Sequence, residues 1–486
     1  MVTGGGVRVL LGPRYRAVSV SLIGTVAMAS YNNLSVTAAL PDIGDDLGRV
    51  ALLPWVVTVE LLAAAVAVLA VGPFIDGAGA QRAFRVTVAA FLAASALCAL
   101  APTMELLIAA RILQGMGSGA LIGTAFTCIG LVYDDTARPW AYALFSSVWG
   151  VMGIGGPALA AVLVSTLGWR AVFAFNLPVA AAAAAVGWRR LPQQAPEAAA
   201  DPLDRRGLVT LSALTVALLL ATSGLNWYSV ALLAAAVLLG FGYARHARAA
   251  AAPVVRLEHI SGVQWRSIHL LGSLTMAGGT GASVFLPLYL KAGRGSSAAF
   301  AAFAVLWMTL GWSTASWVSG AMQQRFHAAT VALIGACIIS VSAISVTAAV
   351  ALEAPVAVLL AMFACVGWGI GTISTSSMAL LQGRAEPREM GRISSAHHFL
   401  RSLGFAYGAA FAGLVIFWAV ERSIGDTELV RDLLGDSDLA VDAAVADALR
   451  SAYAWSLAAM AALCTLTLPA AAALARRYDP ERATRD

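Results

Sequence analysis

The chain has 486 residues, 60% of them hydrophobic and only 12% charged, with a mean hydropathy of +0.80. Soluble domains carry ~25% charged residues, so an ordinary cytosolic enzyme, a disordered chain and a disulfide scaffold are excluded, leaving a polytopic membrane protein. The net charge of +5 is built almost wholly from arginine, Lys291 being the only lysine, and no basic patch with interleaved aromatics suits nucleic acid.

Apolar runs recur between short polar breaks. In chain order they cover 17–40, 51–72, 84–101, 105–132, 140–166, 171–188, 208–224, 227–244, 267–290, 299–322, 328–350, 355–381, 393–420 and 450–475. A crossing helix needs ~20 apolar residues, so the pattern predicts an all-α protein with fourteen spans. Arg8, Arg14 and Arg16 precede the first run as in a signal peptide. That run is long, polar in its middle and without a cleavage-like end, so it reads as a retained span.

The pattern predicts an N-terminal six-helix bundle over 1–188, a cytoplasmic linker over 189–207 and two additional membrane helices over 208–244. A second cytoplasmic linker comes next over 245–266, then a C-terminal six-helix bundle over 267–486. The break from Arg189 to Gly207 is rich in Pro, Ala and charge, as linkers are. Within the last bundle the outer loop 421–449 is acidic and is either a solvated cap or carries a short amphipathic helix over 438–449. Arginine placement orients the whole: 21 of the 31 basic residues fall in one alternate set of loops and six in the other. By the positive-inside rule both termini are cytoplasmic.

Internal repetition is faint but visible. The first run ends in Ala39-Leu40-Pro41 and the ninth in Phe285-Leu286-Pro287, while Gly115, Gly117 and Gly119 find an echo in Gly367, Gly369 and Gly371. Two related halves account for this pattern.

Ionisable groups inside hydrocarbon are costly, so those retained are functional candidates. Glu60, Arg111, His397, His398 and Arg401 fall within the runs. Two bundles facing one aqueous cavity would hide them from lipid. Glu60 and Arg111 lie at similar depth, so an ion pair fits. It is either a fixed buried salt bridge or a carboxyl that alternately takes a proton and pairs with arginine. Burial favours the neutral form of a carboxyl and a nearby guanidinium the charged one. Tyr31, Asn32 and Asn33, with Ser30, Ser35 and Thr37, either face the cavity or bond neighbouring helices. Arg401 is either a cation for an anionic substrate or a side chain reaching to the membrane interface. Gly153, Gly155, Gly156 and Pro157 would permit close helix contact. The five cysteines lie far apart in apolar runs and read as packing residues, without metal-ligand spacing.

These residues carry a resemblance. The chain resembles the major facilitator superfamily, and within it the fourteen-span drug:proton antiporters. Gly72-Pro-Phe-Ile-Asp76-Gly-Ala-Gly79-Ala-Gln-Arg82 is similar to the loop signature after the second span. Arg111-Ile-Leu-Gln114-Gly115 resembles the fourth-span motif, whose arginine is implicated in proton coupling. Gly153-Ile-Gly155-Gly156-Pro157 resembles the fifth-span antiporter motif, although Ala160 and Ala161 replace its closing glycines. Trp169-Arg170-Ala-Val-Phe173-Ala-Phe-Asn176-Leu-Pro178 is characteristic of the fourteen-span branch. In the family pattern an aspartate stands where this chain has Asn32, and an aromatic where it has Glu60. The resemblance thus implies that the protonatable carboxyl has moved from the first helix to the second.

The same resemblance implies a bacterial plasma-membrane exporter, monomeric, exchanging protons for a small organic molecule without cofactor or metal. The cationic lean of the cavity residues favours anionic or zwitterionic substrates, such as an antibiotic of the β-lactam class (a cephamycin, for example). Proton-coupled uptake, and a lipid transporter or scaffold, are the alternatives.

Overall fold

The computed structural model describes residues 3–191, 204–222, 227–424 and 443–478, and among these every regular element is helical. Lipid offers no hydrogen-bond partner to a backbone, so an apolar run that enters it must satisfy its amides within its own helix.

Two compact units form. The first takes the described residues of Met1–Leu219, Ala231–Trp265 and Leu381–Phe399, and the second those of Leu220–Val230, Arg266–Leu380 and Leu400–Asp486. Unit one begins with α1 (Thr3–Leu10), α2 (Arg16–Leu47), α3 (Leu53–Ala78), α4 (Ala80–Ala99), α5 (Met104–Val132) and α6 (Arg138–Leu167). It continues with α7 (Arg170–Ala174), α8 (Asn176–Gly187), most of α9 (Arg205–Thr222), most of α10 (Trp227–Ala249) and α11 (Leu257–Ser261). Unit two holds α12 (Arg266–Thr275), α13 (Gly281–Val284), α14 (Leu286–Leu288), α15 (Ala298–Met322), α16 (Ala328–Ala351) and most of α17 (Val356–Gln382). The long α18 (Met390–Ile424) is shared, its first ten residues belonging to unit one. Unit two ends with α19 (Ala443–Thr465) and α20 (Thr467–Arg477).

Ten helices among the described residues are long and apolar enough to cross a membrane. The 32-residue α2 is not one of them. Its polar run from Ser30 to Thr37 lowers the hydropathy of an otherwise ample helix.

The boundaries depart from the sequence expectation in several places. The predicted loop beginning at Gly72 is helical through Ala78, with Pro73 inside the helix, and only Gly79 (φ +82) breaks it. Proline is tolerated within membrane helices because neighbours satisfy the freed carbonyl. The predicted run 171–188 divides at Phe175 into α7 and α8. The predicted run 267–290 is no single α-helix: π-helical turns at Met276–Thr280 and Tyr289–Gly293 interrupt it. The first turn holds Gly278 and Gly279, where a Cβ would lie 2.9 Å from the Met460 carbonyl and 2.7 Å from Ile370. Of the amphipathic helix expected over 438–449, the described part is the first two turns of α19, and the rest lies outside the described residues. So do the turn at Leu225–Asn226 and most of the first linker.

The glycine echo has a structural meaning in each unit. A Cβ on Gly115 or Gly119 would strike the α3 carbonyls of Glu60 or Ala64, and one on Gly117 the Cα of Phe91 on α4. In unit two a Cβ on Gly367 or Gly371 would strike the α15 carbonyls of Met308 or Trp312, and one on Gly369 the backbone of Ile339 on α16. Each unit thus has a central helix whose glycines, two residues apart, admit one neighbour's backbone on each side.

Candidate functional site

The close crossing of α3 and α5 at Gly115 sets the site. On α5, Arg111, Gln114 and Ser118 share one face at helical spacing, and Gly115 lets the main chain of Glu60 settle beside them. The Glu60 and Arg111 side chains are each 1% exposed, with 3.6 Å between Oε2 and Nη2. The Glu60 Oε1 accepts from Ser118 Oγ at 2.8 Å and from Asn32 Nδ2 on α2 at 3.2 Å. Asn33, with its amide nitrogen turned to the carboxylate, donates to both oxygens at 2.8 and 3.0 Å.

Arg111 is held more firmly than its ion pair alone would hold it. Its Nε donates to the Val56 carbonyl at 2.9 Å, and Nη1 donates to Asn32 Oδ1 at 3.1 Å and Gln114 Oε1 at 2.6 Å. The guanidinium also lies 5.8 Å from the ring centre of Phe173, within cation–π range. Gln114 in turn donates to Ser95 Oγ at 2.9 Å and accepts from Cys98 Sγ at 3.3 Å. Three neutral acceptors therefore anchor the cation, and the carboxylate contact is the longest of the four. Asn32, bonded to both charges, couples them.

The other sequence candidates distribute elsewhere. Tyr31 is fully buried with its ring 5.2 Å from Phe175. Asp76 caps α18: its carboxylate accepts from Gly391 N at 2.7 Å and Arg392 N at 2.9 Å, where the positive end of a helix dipole favours an anion. Gly72 makes room for this meeting, since a Cβ there would lie 2.8 Å from the Gly391 carbonyl. Arg82, from the same motif, is exposed. His397, His398 and Arg401 all lie on α18. His397 is buried, the His398 ring lies tilted with its centre 5.0 Å from that of Phe126 in unit one, and Arg401 turns within unit two to donate to Ser374 Oγ at 3.0 Å.

Among the fifth-run glycines, a Cβ on Gly156 would lie 3.2 Å from Ser35 Oγ. Gly155 faces open space, because it lies on the exposed side of α6. Trp169 and Arg170 both donate to Asp46, at 3.0 and 2.6 Å. No group of three or more His, Cys, Asp or Glu side chains among the described residues could hold a metal.

The sequence matches the family profile of the Major Facilitator Superfamily over residues 20–409. The chain belongs to that superfamily. Proteins of that superfamily are membrane transporters rather than enzymes. An uncharacterized MFS-type transporter of Mycobacterium tuberculosis is 29% identical over 431 residues, 86% of this chain but 62% of the relative, so the chain spans less than two thirds of that protein's length. Multidrug resistance protein 3 of Bacillus subtilis is 27% identical over 399 residues, covering 80% of this chain and 77% of the relative. The methylenomycin A resistance protein of Streptomyces coelicolor is 28% identical over 379 residues, 75% and 78% of the two chains. Among solved structures the human organic anion transporter MFSD10 (TETRAN) has the same fold, with a TM-score of 0.64 at 15% identity, covering 94% of this chain and 99% of that one.

Sequence reasoning named Glu60, Arg111, Gln114 and Asn32 in this superfamily transporter and missed Ser118, Ser95, Cys98 and the Val56 carbonyl. Ser118 was within reach, being seven residues beyond Arg111 on the same helical face. Cys98, taken as a packing residue, is buried but also bonds Gln114, a partner that only the α4–α5 register supplies.

Proposed function

We propose that this transporter is a fourteen-span proton-coupled exporter of an antibiotic or similar secondary metabolite, working by alternating access in a bacterial plasma membrane with both termini inside. The observation that carries the reading is the Glu60–Arg111 pair, buried to 1% exposure and tied through Asn32. A carboxyl so placed can be neutral or anionic while its surroundings hold their shape, as a proton carrier requires. The names of the Bacillus and Streptomyces relatives support a drug or antibiotic as cargo. Arg401, half-buried on α18, offers a cation that favours an anionic or zwitterionic molecule, for which a β-lactam such as a cephamycin is a suitable first probe. A potential of 100 mV contributes ~2.3 kcal/mol per charge moved, enough to hold more than a tenfold gradient.

Everted membrane vesicles test this. Acidifying the lumen should drive accumulation of the exported compound, and Glu60→Gln should abolish that accumulation at unchanged protein level. Accumulation by Glu60→Gln with the parent pH dependence would remove Glu60 from the coupling. Accumulation in right-side-out vesicles instead would make the protein an uptake symporter. Arg401→Gln should weaken transport of anionic compounds by about tenfold and spare cations; equal loss for both would leave Arg401 a structural role through Ser374.

A further inference from the structure

A cavity of about 730 Å³ opens between α4 and α8, bounded along α4 from Val88 to Leu92 and along α8 from Ala181 to Trp188, and closed at one end by Arg189 and Arg190. Its size falls within the ~300–1,000 Å³ of small-molecule sites. On α8 it extends about 10 Å, roughly a third of the ~30 Å hydrocarbon core. Leu92 is half-buried, while Ala89, Ala181, Ala185 and Val186 are exposed, so the groove opens sideways onto what surrounds the helices.

The arginine end is built differently from the floor. Arg85 donates from Nε and Nη2 to the Trp188 carbonyl at 2.9 and 2.7 Å, and its guanidinium lies 5.2 Å from the Trp188 ring centre. Trp188, 41% exposed, sits where interfacial tryptophans anchor membrane helices. Among the described residues no ion pair engages Arg85, Arg189 or Arg190. Three cations thus gather beyond an apolar trough, with an amphipathic ring between them. That order of chemistries matches one molecule: an acyl chain, a glycerol backbone and an anionic headgroup.

We propose that this groove binds one anionic phospholipid, its acyl chain lying along α4 and α8 and its phosphate held by Arg189 and Arg190. A zwitterionic lipid would offer the same chain, but its amine would meet the arginine cluster at a disadvantage. Basic clusters at helix ends select anionic headgroups through such charge.

Full-length protein reconstituted in vesicles of phosphatidylglycerol and phosphatidylethanolamine with identical acyl chains, then extracted gently and read by native mass spectrometry, tests this. The parent should retain one phosphatidylglycerol in preference. The double variant Arg189→Gln, Arg190→Gln should lose that preference by about thirtyfold. Ala185→Trp, which keeps every charge but fills the trough, should retain neither lipid. All three positions are exposed, so unchanged melting temperatures confirm that the variants are folded. Equal retention of the two lipids by the parent, undiminished selectivity in the double variant, or undiminished retention in Ala185→Trp each overturns the proposal. Displacement of the lipid by free glycerol phosphate at comparable concentration would also overturn it, by showing a site for a soluble anion. None of these readouts involves transport, so their outcome is separate from that of the export reading.

Discussion

At the residue scale, the buried balance between Glu60 and Arg111 bears on stability. Removing one member of a buried ion pair leaves the other uncompensated, at a cost of about 3–5 kcal/mol. Arg111→Met should therefore lower the melting temperature in detergent sharply, since it also removes the hydrogen bonds to the Val56 carbonyl and to the Gln114 and Asn32 side-chain oxygens. Adding Glu60→Gln should recover part of the loss, because the stranded carboxylate is then neutral; additive losses would show that the two charges do not interact. A milder test lies outside the membrane helices. Hydrogen bonds from Thr136, Tyr15 and Ala137 N–H hold the Asp134 carboxyl down at about 2. Its folded value lies below the unfolded one, so its contribution is present above pH ~4 and fades as pH falls toward about 2. The side chain is 44% exposed, and solvent screening limits the effect to below about 1 kcal/mol. Asp134→Asn should melt slightly lower than the parent at neutral pH, and the gap should close between pH ~4 and ~2. A gap independent of pH would assign the loss to packing.

At the element scale, the two glycine ladders invite a paired test. Valine at Gly115 or at Gly371 places atoms against a neighbouring carbonyl, and overpacking of this kind costs about 1–3 kcal/mol. Both variants should lower the melting temperature, whereas Gly155→Ala, which meets nothing within 4 Å, should not. Tolerance at Gly371 alone would mean that the second ladder no longer positions its helices. The ladders also show what the sequence could and could not reveal. Apolar runs were legible because lipid forces every long one into a helix, and Glu60 and Arg111 were legible because charge inside such a run is costly. The ladders were visible as spacing. Their contacts were not, because Gly115 meets Glu60 only through the α3–α5 register. The helical stretch from Gly72 to Ala78 was hidden by a proline that reads as a breaker in water but is tolerated in a membrane helix. The π-turn at Met276–Thr280 depends on Met460 and Ile370, far along the chain, and no local pattern announces it. Ser118 and Ser95 look like any helix serine until their neighbours are known.

At the scale of the whole molecule, the number of crossings turns on α9 and α10. Asp204, just before α9, bonds the His246 ring nitrogen near the end of α10 at 2.8 Å, and it accepts from Gly207 N at 2.8 Å and Val254 N at 3.3 Å. Farther along, Gly240 stands opposite Leu214. The helices therefore run antiparallel, joined at one end by Asp204. Eighteen residues of α9 rise about 27 Å and 23 of α10 about 34 Å, against a hydrocarbon core of ~30 Å. An antiparallel pair of that reach is long enough to cross the bilayer twice. Arg205 and Arg206 at the base of α9, with Arg245 and Arg248 near the end of α10, would hold the joined end in the cytoplasm. Green fluorescent protein inserted after residue 198 or fused at the C-terminus should fluoresce, and alkaline phosphatase inserted after residue 225 should be active. Together these results require an even number of crossings after residue 198 and place the pair across the bilayer. Fluorescence from an insertion after 225, with the other two unchanged, would lay both helices on the inner surface and leave twelve spans. The Glu60–Arg111 centre would be untouched by that outcome, because every residue that builds it comes before α9.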